Sequence, residues 1–249
     1  MSGHSKWATT KHRKGAQDKA RAKLFAKLIR QVEVAAREGG ADMNANAALR
    51  TMFQKARDGS VPIDTIERAI KRGTGELEGV RYEAVTYEGY GPGGVAVLVE
   101  CLTDNRNRTG SEMRSLFTRS GGSMAEPGAV AWQFERKGAI EVAATIDEDR
   151  LMELAMEAGA EDLESDDDGF SITTAPGDLA SVRDSLEAQG VSVRNAELTM
   201  VASSTVEITD DADAKRVLRM MDAIDDHDDV QSVHANFDVP ESVLTAYDG

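Results

Sequence analysis

Residues 138–203 read GAIEVAATIDEDRLMELAMEAGAEDLESDDDGFSITTAPGDLASVRDSLEAQGVSVRNAELTMVAS. Short apolar and alternating runs predict strands at 139–142, near 162–165, at 170–174 and near 192–200. Apolar residues three and four apart predict helices at 147–158 and 179–189. The resulting order, β-α-β-β-α-β, is that of a ferredoxin-like domain. We therefore predict an α+β protein in which residues 137–203 form one acidic ferredoxin-like (βαββαβ) domain.

The segments on either side of this domain are incomplete by themselves. Residues 80–134 and the tail each contain strands and a helix with too few partners to bury them. The predicted strands are 82–90, 95–102, 130–134, 205–208 and 230–236, and the predicted helices are 107–120 and 212–224. Pairing the two segments would bury both. We therefore predict a discontinuous α+β middle domain of residues 77–136 plus 204–249, into which residues 137–203 are inserted.

Residues 1–76 are predicted to form a three-helix domain preceded by a basic arm. Helices are expected at 18–37, at 47–57 and from Asp64 to Gly73, because apolar residues recur there with a helical period. Asp64 and Glu67 have the spacing of a capping box and predict the start of the third helix. Residues 2–15 show no apolar period, which is typical of an arm rather than a packed element.

Charge is sorted along the chain, whose formal net charge is −15. Residues 1–75 carry net +9, residues 76–140 net −2 and residues 141–249 net −22. A phosphate polymer is attracted to the first part and repelled by the last. The sequence therefore predicts a nucleic-acid-binding module at the N-terminus of an acidic body.

The candidate nucleic-acid-binding residues lie on the arm and on one stripe of the first helix. They are Lys6, Trp7, Lys11, His12, Arg13, Lys14, Lys19, Lys23, Lys27 and Arg30. Basic side chains would meet phosphates, and Trp7 would stack on an unpaired base. The alternative is that the lysine face is only solvated and that Trp7 pins the arm to the helices. The charge pattern does not separate DNA from RNA.

A second candidate phosphate site is the polar loop that precedes the predicted helix 107–120. Backbone N–H groups at the helix start, with Asn105, Arg106, Asn107 and Arg108, could hold a phosphate. The alternative is that an Asp or Asn of this loop only caps the helix. Residues 91–94 (Gly-Pro-Gly-Gly) predict a hairpin turn rather than a nucleotide-binding loop.

The sequence nominates no catalytic residue, metal ligand or cofactor. The acidic clusters at 166–168 and 225–229 lack the spacing of an EF-hand, so solvated loops are expected there. His227 and His234 lack a zinc-ligand pattern. Cys101, in an apolar run, is expected to be a buried hydrophobic residue. We predict a protein that is not an enzyme and has no small-molecule substrate. With neither a membrane span nor a secretory signal in the sequence, a cytoplasmic location is expected.

Several motifs closely resemble the YebC/PmpR family, in order over nearly the whole chain. They are Gly3–Trp7, Lys11–His12, Lys23–Ile29, Ile66–Gly75, Tyr87–Gly94, Thr103–Thr109, Trp132–Gly138, Asp228–Val233 and Asn236–Pro240. The loops 40–46 and 121–126 depart from the usual family pattern. The resemblance implies a helical N-terminal domain, and a ferredoxin-like domain inserted into the middle one. It also implies a cytoplasmic bacterial protein without catalytic activity or an obligatory cofactor.

Two functions are therefore expected as alternatives. The resemblance implies a DNA-binding transcriptional regulator, and this is our primary prediction. Relatives that include mitochondrial translational activators imply a ribosome-associated translation factor instead. Such a factor would bind ribosomal RNA through the basic domain and help the synthesis of difficult nascent chains. A protein-interaction scaffold is a third alternative. The predicted partner is nucleic acid, either DNA or ribosomal RNA, with the ribosome included and no membrane.

Overall fold

The computed structural model describes Trp7, residues 18–166 and residues 169–247. It is a multi-domain α+β protein with N-terminal helices and antiparallel sheets, which confirms the predicted fold class. The described elements are, in chain order, α1 (Asp18–Gly39), α2 (Ala47–Asp58), α3 (Ile63–Gly73), β1 (Glu83–Tyr90), β2 (Ala96–Thr103), α4 (Arg106–Arg119), β3 (Ser123–Ala125), β4 (Phe134–Ala143), α5 (Glu148–Ala158), β5 (Asp162–Asp166), β6 (Gly169–Thr174), α6 (Leu179–Ala188), β7 (Val193–Ala202), β8 (Val206–Glu207), α7 (Asp211–Asp225), β9 (Val230–Ala235), β10 (Phe237–Asp238) and α8 (Glu241–Ala246).

Helices α1, α2 and α3 pack on one another through a single apolar core. Val32, Leu49 and Ile66, one from each helix, are fully buried in it. Gly73 permits the close approach of α3 to α1, because a Cβ at this position would lie 2.4 Å from the backbone oxygen of Glu33. The helical period of the apolar residues thus produces a bundle whose outer faces remain polar.

The start of α3 differs from the prediction. The expected capping box of Asp64 and Glu67 is wrong, because the helix begins one residue earlier, at Ile63, with Pro62 as the N-cap residue. Proline fixes a φ that suits entry into a helix and offers no side-chain acceptor. Asp64 therefore lies inside the first turn, where its charge is favourable to the helix dipole.

The middle sheet has the strand order β3-β1-β2-β9, and every pair in it is antiparallel. Strand β9 comes from the far end of the chain and pairs with β2. Helices α4 and α7 share one core with this sheet, in which Val99, Phe117 and Met221 are buried. The parallel pair β8–β10 and α8 complete this region. Strand β8 lies within the predicted strand 205–208, whereas β10 and α8 were not predicted.

The ferredoxin-like region runs from β4 to β7, and its sheet has the order β5-β6-β4-β7. Helices α5 and α6 contribute Leu151 and Val182 to its core. Gly138 leaves room for the side chains of Thr174 and Leu179, since a Cβ here would lie 2.2 Å from Thr174 Oγ1 and 3.0 Å from Leu179 Cβ. The predicted order of elements, β-α-β-β-α-β, is therefore present in the structure.

The connection into this region differs from the prediction. Residues 130–134 are not a separate strand: Ala131–Gln133 is a short 3₁₀ helix, and β4 starts at Phe134. The buried Glu88 carboxylate accepts N–H bonds from Gly128, Val130 and Ala131 at 2.6–2.8 Å. These amides are consequently unavailable to a strand ladder.

The division into residues 1–76, 77–136 plus 204–249, and 137–203 stays a proposal. The pairing of β9 with β2 supports it. The boundary at 136/137 lies inside β4, whose first residue packs with Leu98 of the middle sheet and Met200 of β7 in a small shared core.

Candidate nucleic-acid interface

Helix α1 has two chemically different faces. Leu28, Val32 and Ala36 are buried against α2 and α3. Lys23, Lys27 and Arg30 follow one another at intervals of four and three residues, which places them in a row along the helix. We call this row the cationic face of α1. It is the described part of the basic stripe predicted from the sequence.

The cationic face contacts the acidic segment, Asp225–Asp229, which links α7 to β9. Lys27 Nζ lies 3.0 Å from Asp225 Oδ1 and 3.1 Å from the backbone oxygen of the same residue. Lys23 Nζ lies 3.2 Å from Asp226 Oδ1 and donates to the Asp226 carbonyl oxygen. Each lysine therefore binds both a carboxylate and a carbonyl oxygen of one residue.

Arg30 contacts the end of the acidic segment. Its Nη1 donates to the backbone oxygen of Asp228 at 2.6 Å and lies 3.3 Å from Asp229 Oδ1. The guanidinium also lies over the ring of Tyr82, with 5.2 Å between its central carbon and the ring centroid. These contacts on several sides fix the position of Arg30.

The acidic segment begins at the C-terminus of a helix whose last turn contains no Lys or Arg. A helix C-terminus carries partial negative charge and leaves carbonyl groups without intrahelical donors. Lys23 and Lys27 supply both the missing positive charge and the missing donors from another part of the chain. The contact thus supplies positive charge to the C-terminus of α7 and negative charge to the cationic face of α1.

Asp229 connects three parts of the molecule and is only 4% exposed. Its Oδ2 accepts from Thr109 Oγ1 at 2.7 Å and from Arg108 Nη2 at 2.5 Å, and its Oδ1 faces Arg30. Burial by itself would raise the pKa of Asp229, but the bonds from Thr109 and Arg108 outweigh it, so the pKa lies below its usual value. Asp229 is therefore a charged anchor between α1, α4 and β9.

The second predicted phosphate site is occupied by internal contacts. Asn105 is the N-cap of α4, and its Oδ1 accepts from the backbone N–H of Arg108 at 3.1 Å. The Arg108 side chain pairs with Asp229 and with Asp104. Arg106 and Asn107 are exposed. The capping alternative thus describes Asn105, and a carboxylate stands where Arg108 was expected to meet a phosphate.

Trp7 is buried, at 6% exposure, in the core of the middle domain. Its Nε1 donates to Asp222 Oδ1 of α7 at 3.1 Å. In this arrangement the indole ring is not offered to a base. It packs in a core that it shares with α7, whereas the alternative placed it against the N-terminal helices.

The remaining predicted residues lie largely outside the described part of the chain. Those with no described position are Lys6, Lys11, His12, Arg13 and Lys14. The backbone of Lys19 belongs to α1, but its side chain is outside the description. The structure therefore places Lys23, Lys27 and Arg30 together on one surface, with Arg108 joined to them through Asp229.

The acidic segment is not the solvated loop expected from the sequence, because two of its carboxylates form ion pairs with partly buried cations. Sequence patterns did not identify the acidic segment as the partner of the basic stripe. The available signal was an acidic helix end without a basic residue in its last turn, which requires a countercharge from elsewhere. Which basic group supplies this countercharge could not be decided from local sequence patterns.

Glu112, His227 and Asp229 approach within 4.8 Å of one another, but their bonding does not suit a metal ion. His227 Nε2 lies 2.8 Å from Glu112 Oε2, and its Nδ1 accepts from the Asp229 N–H at 3.2 Å. The Arg108 guanidinium contacts both carboxylates, at 3.8 Å and 2.5 Å. A fixed positive charge thus stands where a cation would bind.

Burial raises the pKa of Cys101 to about 12, which keeps this thiol protonated.

None of the helices in the described residues combines the length and apolar character needed to cross a membrane. The chain is thus a multi-domain α+β protein in which the cationic face of α1 contacts the acidic segment at the C-terminus of α7.

Comparison with known proteins identifies the family. A sequence model described as "TACO1/YebC protein N-terminal domain" matches residues 5–76, and one described as "TACO1/YebC second and third domain" matches residues 82–237. Together they cover most of the chain. The chain therefore belongs to the TACO1/YebC family, which confirms the resemblance noted in the sequence.

Relatives and a solved structure agree with this assignment. A protein of Halothermothrix orenii is 51% identical over 98% of both chains, and one of Trichlorobacter lovleyi is 53% identical over 96% of both. Each carries the name "Probable transcriptional regulatory protein". The crystal structure of a conserved hypothetical protein, Aq1575 from Aquifex aeolicus, superposes with a TM-score of 0.84 at 48% identity. That match covers 90% of this chain and 93% of the other.

Proposed function

We propose that the protein is a nucleic-acid-binding regulator of gene expression, a cytoplasmic DNA-binding regulator of transcription that catalyses no reaction. The observation that carries the proposal is the cationic face of α1, which holds anionic oxygens with three side chains in a row. The names of the relatives support the regulatory role. The net charge of +9 on residues 1–75 supports a polyanionic partner.

Groups that bind carboxylates in this way also bind phosphates, because both are anions that accept several hydrogen bonds. Successive residues of the cationic face lie about 6 and 4.5 Å apart along the helix axis, so they can meet a row of anions. In the proposal, further contacts to the nucleic acid come from Lys6, Lys11, His12, Arg13, Lys14 and Lys19. Arg106 and Asn107, at the exposed start of α4, would add a secondary contact.

A second candidate function is translation regulation through RNA binding, with the protein associated with the ribosome. The observation that favours it is that the three cations of this face contact carboxylate and backbone carbonyl oxygens, which is the chemistry of phosphate contacts rather than of base-edge recognition. Such a face contacts phosphates and carries little sequence information. The acidic body, net −22 over residues 141–249, is also difficult to lay along a duplex.

The decisive experiment compares the affinity of the full chain for duplex DNA, structured RNA and intact ribosomes between about 50 and 200 mM salt. Sequence-selective binding of duplex DNA at physiological salt supports transcription regulation. Co-sedimentation with ribosomes that is lost on deleting residues 2–15 supports the second candidate. Binding to none of the three contradicts both.

A charge-matched pair of variants tests the surface itself. Lys23→Gln with Lys27→Gln should weaken binding and make the slope of log K against log salt less steep by about 2. Arg57→Gln with Lys71→Gln removes the same charge from exposed positions on α2 and α3 and should have a smaller effect. Equal effects of the two pairs would show that only net charge matters and would contradict a site on α1.

A further inference from the structure

The contact between α1 and the acidic segment joins two regions with separate apolar cores. The core of the helical bundle and the core of the middle domain share no residue, and among the described N-terminal residues Trp7 alone enters the second. The backbone of α1 packs closely on α2 and α3, whereas the described residues give no comparably extensive packing of α1 on α7 or β9. Long Lys and Arg side chains span the gap instead.

Such a contact depends mainly on charge, so we expect added salt or a competing anion to open it. Ion pairs between partly exposed side chains contribute little individually and are screened by salt. The pairs here differ in exposure: the Lys23 and Asp226 side chains are 36% and 72% exposed, whereas those of Arg30 and Asp229 are 21% and 5% exposed. The contact should therefore open from the Lys23 end and remain held longest at Asp229.

The acidic segment also resembles the ligand proposed for α1. It offers carboxylate and carbonyl oxygens in succession to Lys23, Lys27 and Arg30, which lie about one helical turn apart. A phosphate backbone offers anionic oxygens to a basic surface in the same manner. Both ligands need the same donors, so they cannot occupy the cationic face together.

We propose that the acidic segment is an internal competitor that covers the polyanion-binding face of α1 in the free protein. This inference rests on the proposed function, because the competitor acts on the same face. A polyanion binds by displacing the segment, and only a ligand with many closely spaced phosphates replaces all three contacts at once. A single phosphate replaces one contact and leaves the segment in place. The acidic segment thus selects for dense polyanions over isolated phosphate groups.

The first test compares two double variants that remove the same negative charge. Asp225→Asn with Asp226→Asn weakens the competitor, and Asp149→Asn with Glu157→Gln removes two exposed charges from α5. For a labelled RNA stem-loop and a labelled DNA duplex, the first variant should bind about three- to tenfold more tightly than the second. If the two variants bind equally, or the first more weakly, the competitor does not exist.

The second test detects the contact directly in the full chain. A carbodiimide that joins neighbouring amines and carboxylates should link Lys27 to Asp225, and mass spectrometry of a digest identifies the linked peptides. The yield should fall when the stem-loop or duplex is added in excess, and an equal concentration of inorganic phosphate should leave it unchanged. An unchanged yield with bound nucleic acid would overturn the proposal, as would an equal fall with inorganic phosphate.

These tests separate failure of the competitor from failure of the proposed function. If Lys23→Gln with Lys27→Gln weakens binding while Asp225→Asn with Asp226→Asn has no more effect than its control, the function stands and the competitor is refuted. If none of the variants binds either nucleic acid, even though the carbodiimide link forms, the proposed function is refuted, and competition on this face with it.

Discussion

The two faces of α1 are held in place by different forces. Its apolar face is buried against α2 and α3, with Val32 completely inaccessible to solvent. Its cationic face meets the acidic segment through Lys23, Lys27 and Arg30. Apolar packing therefore holds α1 in its own bundle, whereas ion pairs attach its other face to the acidic segment.

The difference follows from the energies of the two kinds of contact. Burying a large aliphatic side chain contributes about 1.5–3 kcal/mol and depends little on ionic strength. An exposed ion pair contributes about 0–1 kcal/mol and weakens as salt is added. We expect mutations on the apolar face to change the stability of the bundle, and mutations on the cationic face to change its attachment to the middle domain.

The largest effect is expected in the core of the bundle. Leu49→Ala should lower the free energy of unfolding by about 2–5 kcal/mol, since Leu49 is fully buried. The loss should be the same at low and high salt in chemical denaturation. Leu77→Ala, at a position 44% exposed, is the control and should change stability by about 0.5 kcal/mol or less. Equal losses would contradict the described core.

The next effect is expected at Asp229. Asp229→Asn should lower the free energy of unfolding by about 1.5–3 kcal/mol, because the charge that pairs with Arg108 and Arg30 is lost. Asp104→Asn is the control, since Asp104 also pairs with Arg108 but is exposed, and it should have an effect of about 0–1 kcal/mol. A larger loss for Asp104→Asn would show that Asp229 is not the anchor.

A smaller effect is expected from acid. The pKa of Asp229 is lower in the folded protein than in the unfolded chain, so the folded state is favoured while the carboxyl is ionised. This contribution is complete above the unfolded pKa of about 3.9 and is lost as the pH falls through the folded value. Urea denaturation over a pH series measures it.

The same experiment with a variant assigns the effect to its residue. Asp229→Asn should reduce the dependence of stability on pH below about 4. Some dependence should remain, because a hydrogen bond from His234 lowers the pKa of Glu100 to about 2. An unchanged profile in the variant would assign the whole effect to other groups.

The smallest effect is expected on the cationic face. Lys27→Gln and Lys23→Gln should each change stability by about 0–1 kcal/mol, with the larger loss for Lys27, whose pair with Asp225 is more buried. High salt should remove the difference between the variants and the parent protein in denaturation experiments. A loss that persists at high salt would show that packing, not charge, holds this face.

Much of the fold could be predicted from local sequence patterns. Apolar periodicity gave α1 and α2, the hairpin of β1 and β2, and the order of elements from β4 to β7. The strand predicted at 130–134 was wrong because a distant group determined the backbone: Glu88 takes the amides near Val130 away from a strand. The start of α3 was wrong for a local reason, because Pro62 rather than Asp64 precedes the helix.

The candidate site was predictable in its chemistry but not in its partners. The sequence indicated that Lys23, Lys27 and Arg30 share a face, because helical spacing is a local property. It did not indicate that Trp7 would be buried beside Asp222, since burial depends on which surfaces meet.

The sequence by itself determined how charge is distributed along the chain and which residues form each long helix, because both depend only on composition and on spacing between neighbours. Tertiary structure alone decided that the basic face of α1 lies on an acidic segment about 200 residues away along the chain. The physical reason is that Coulomb attraction depends on distance in space, and distance in space between remote residues is set by packing of the domains.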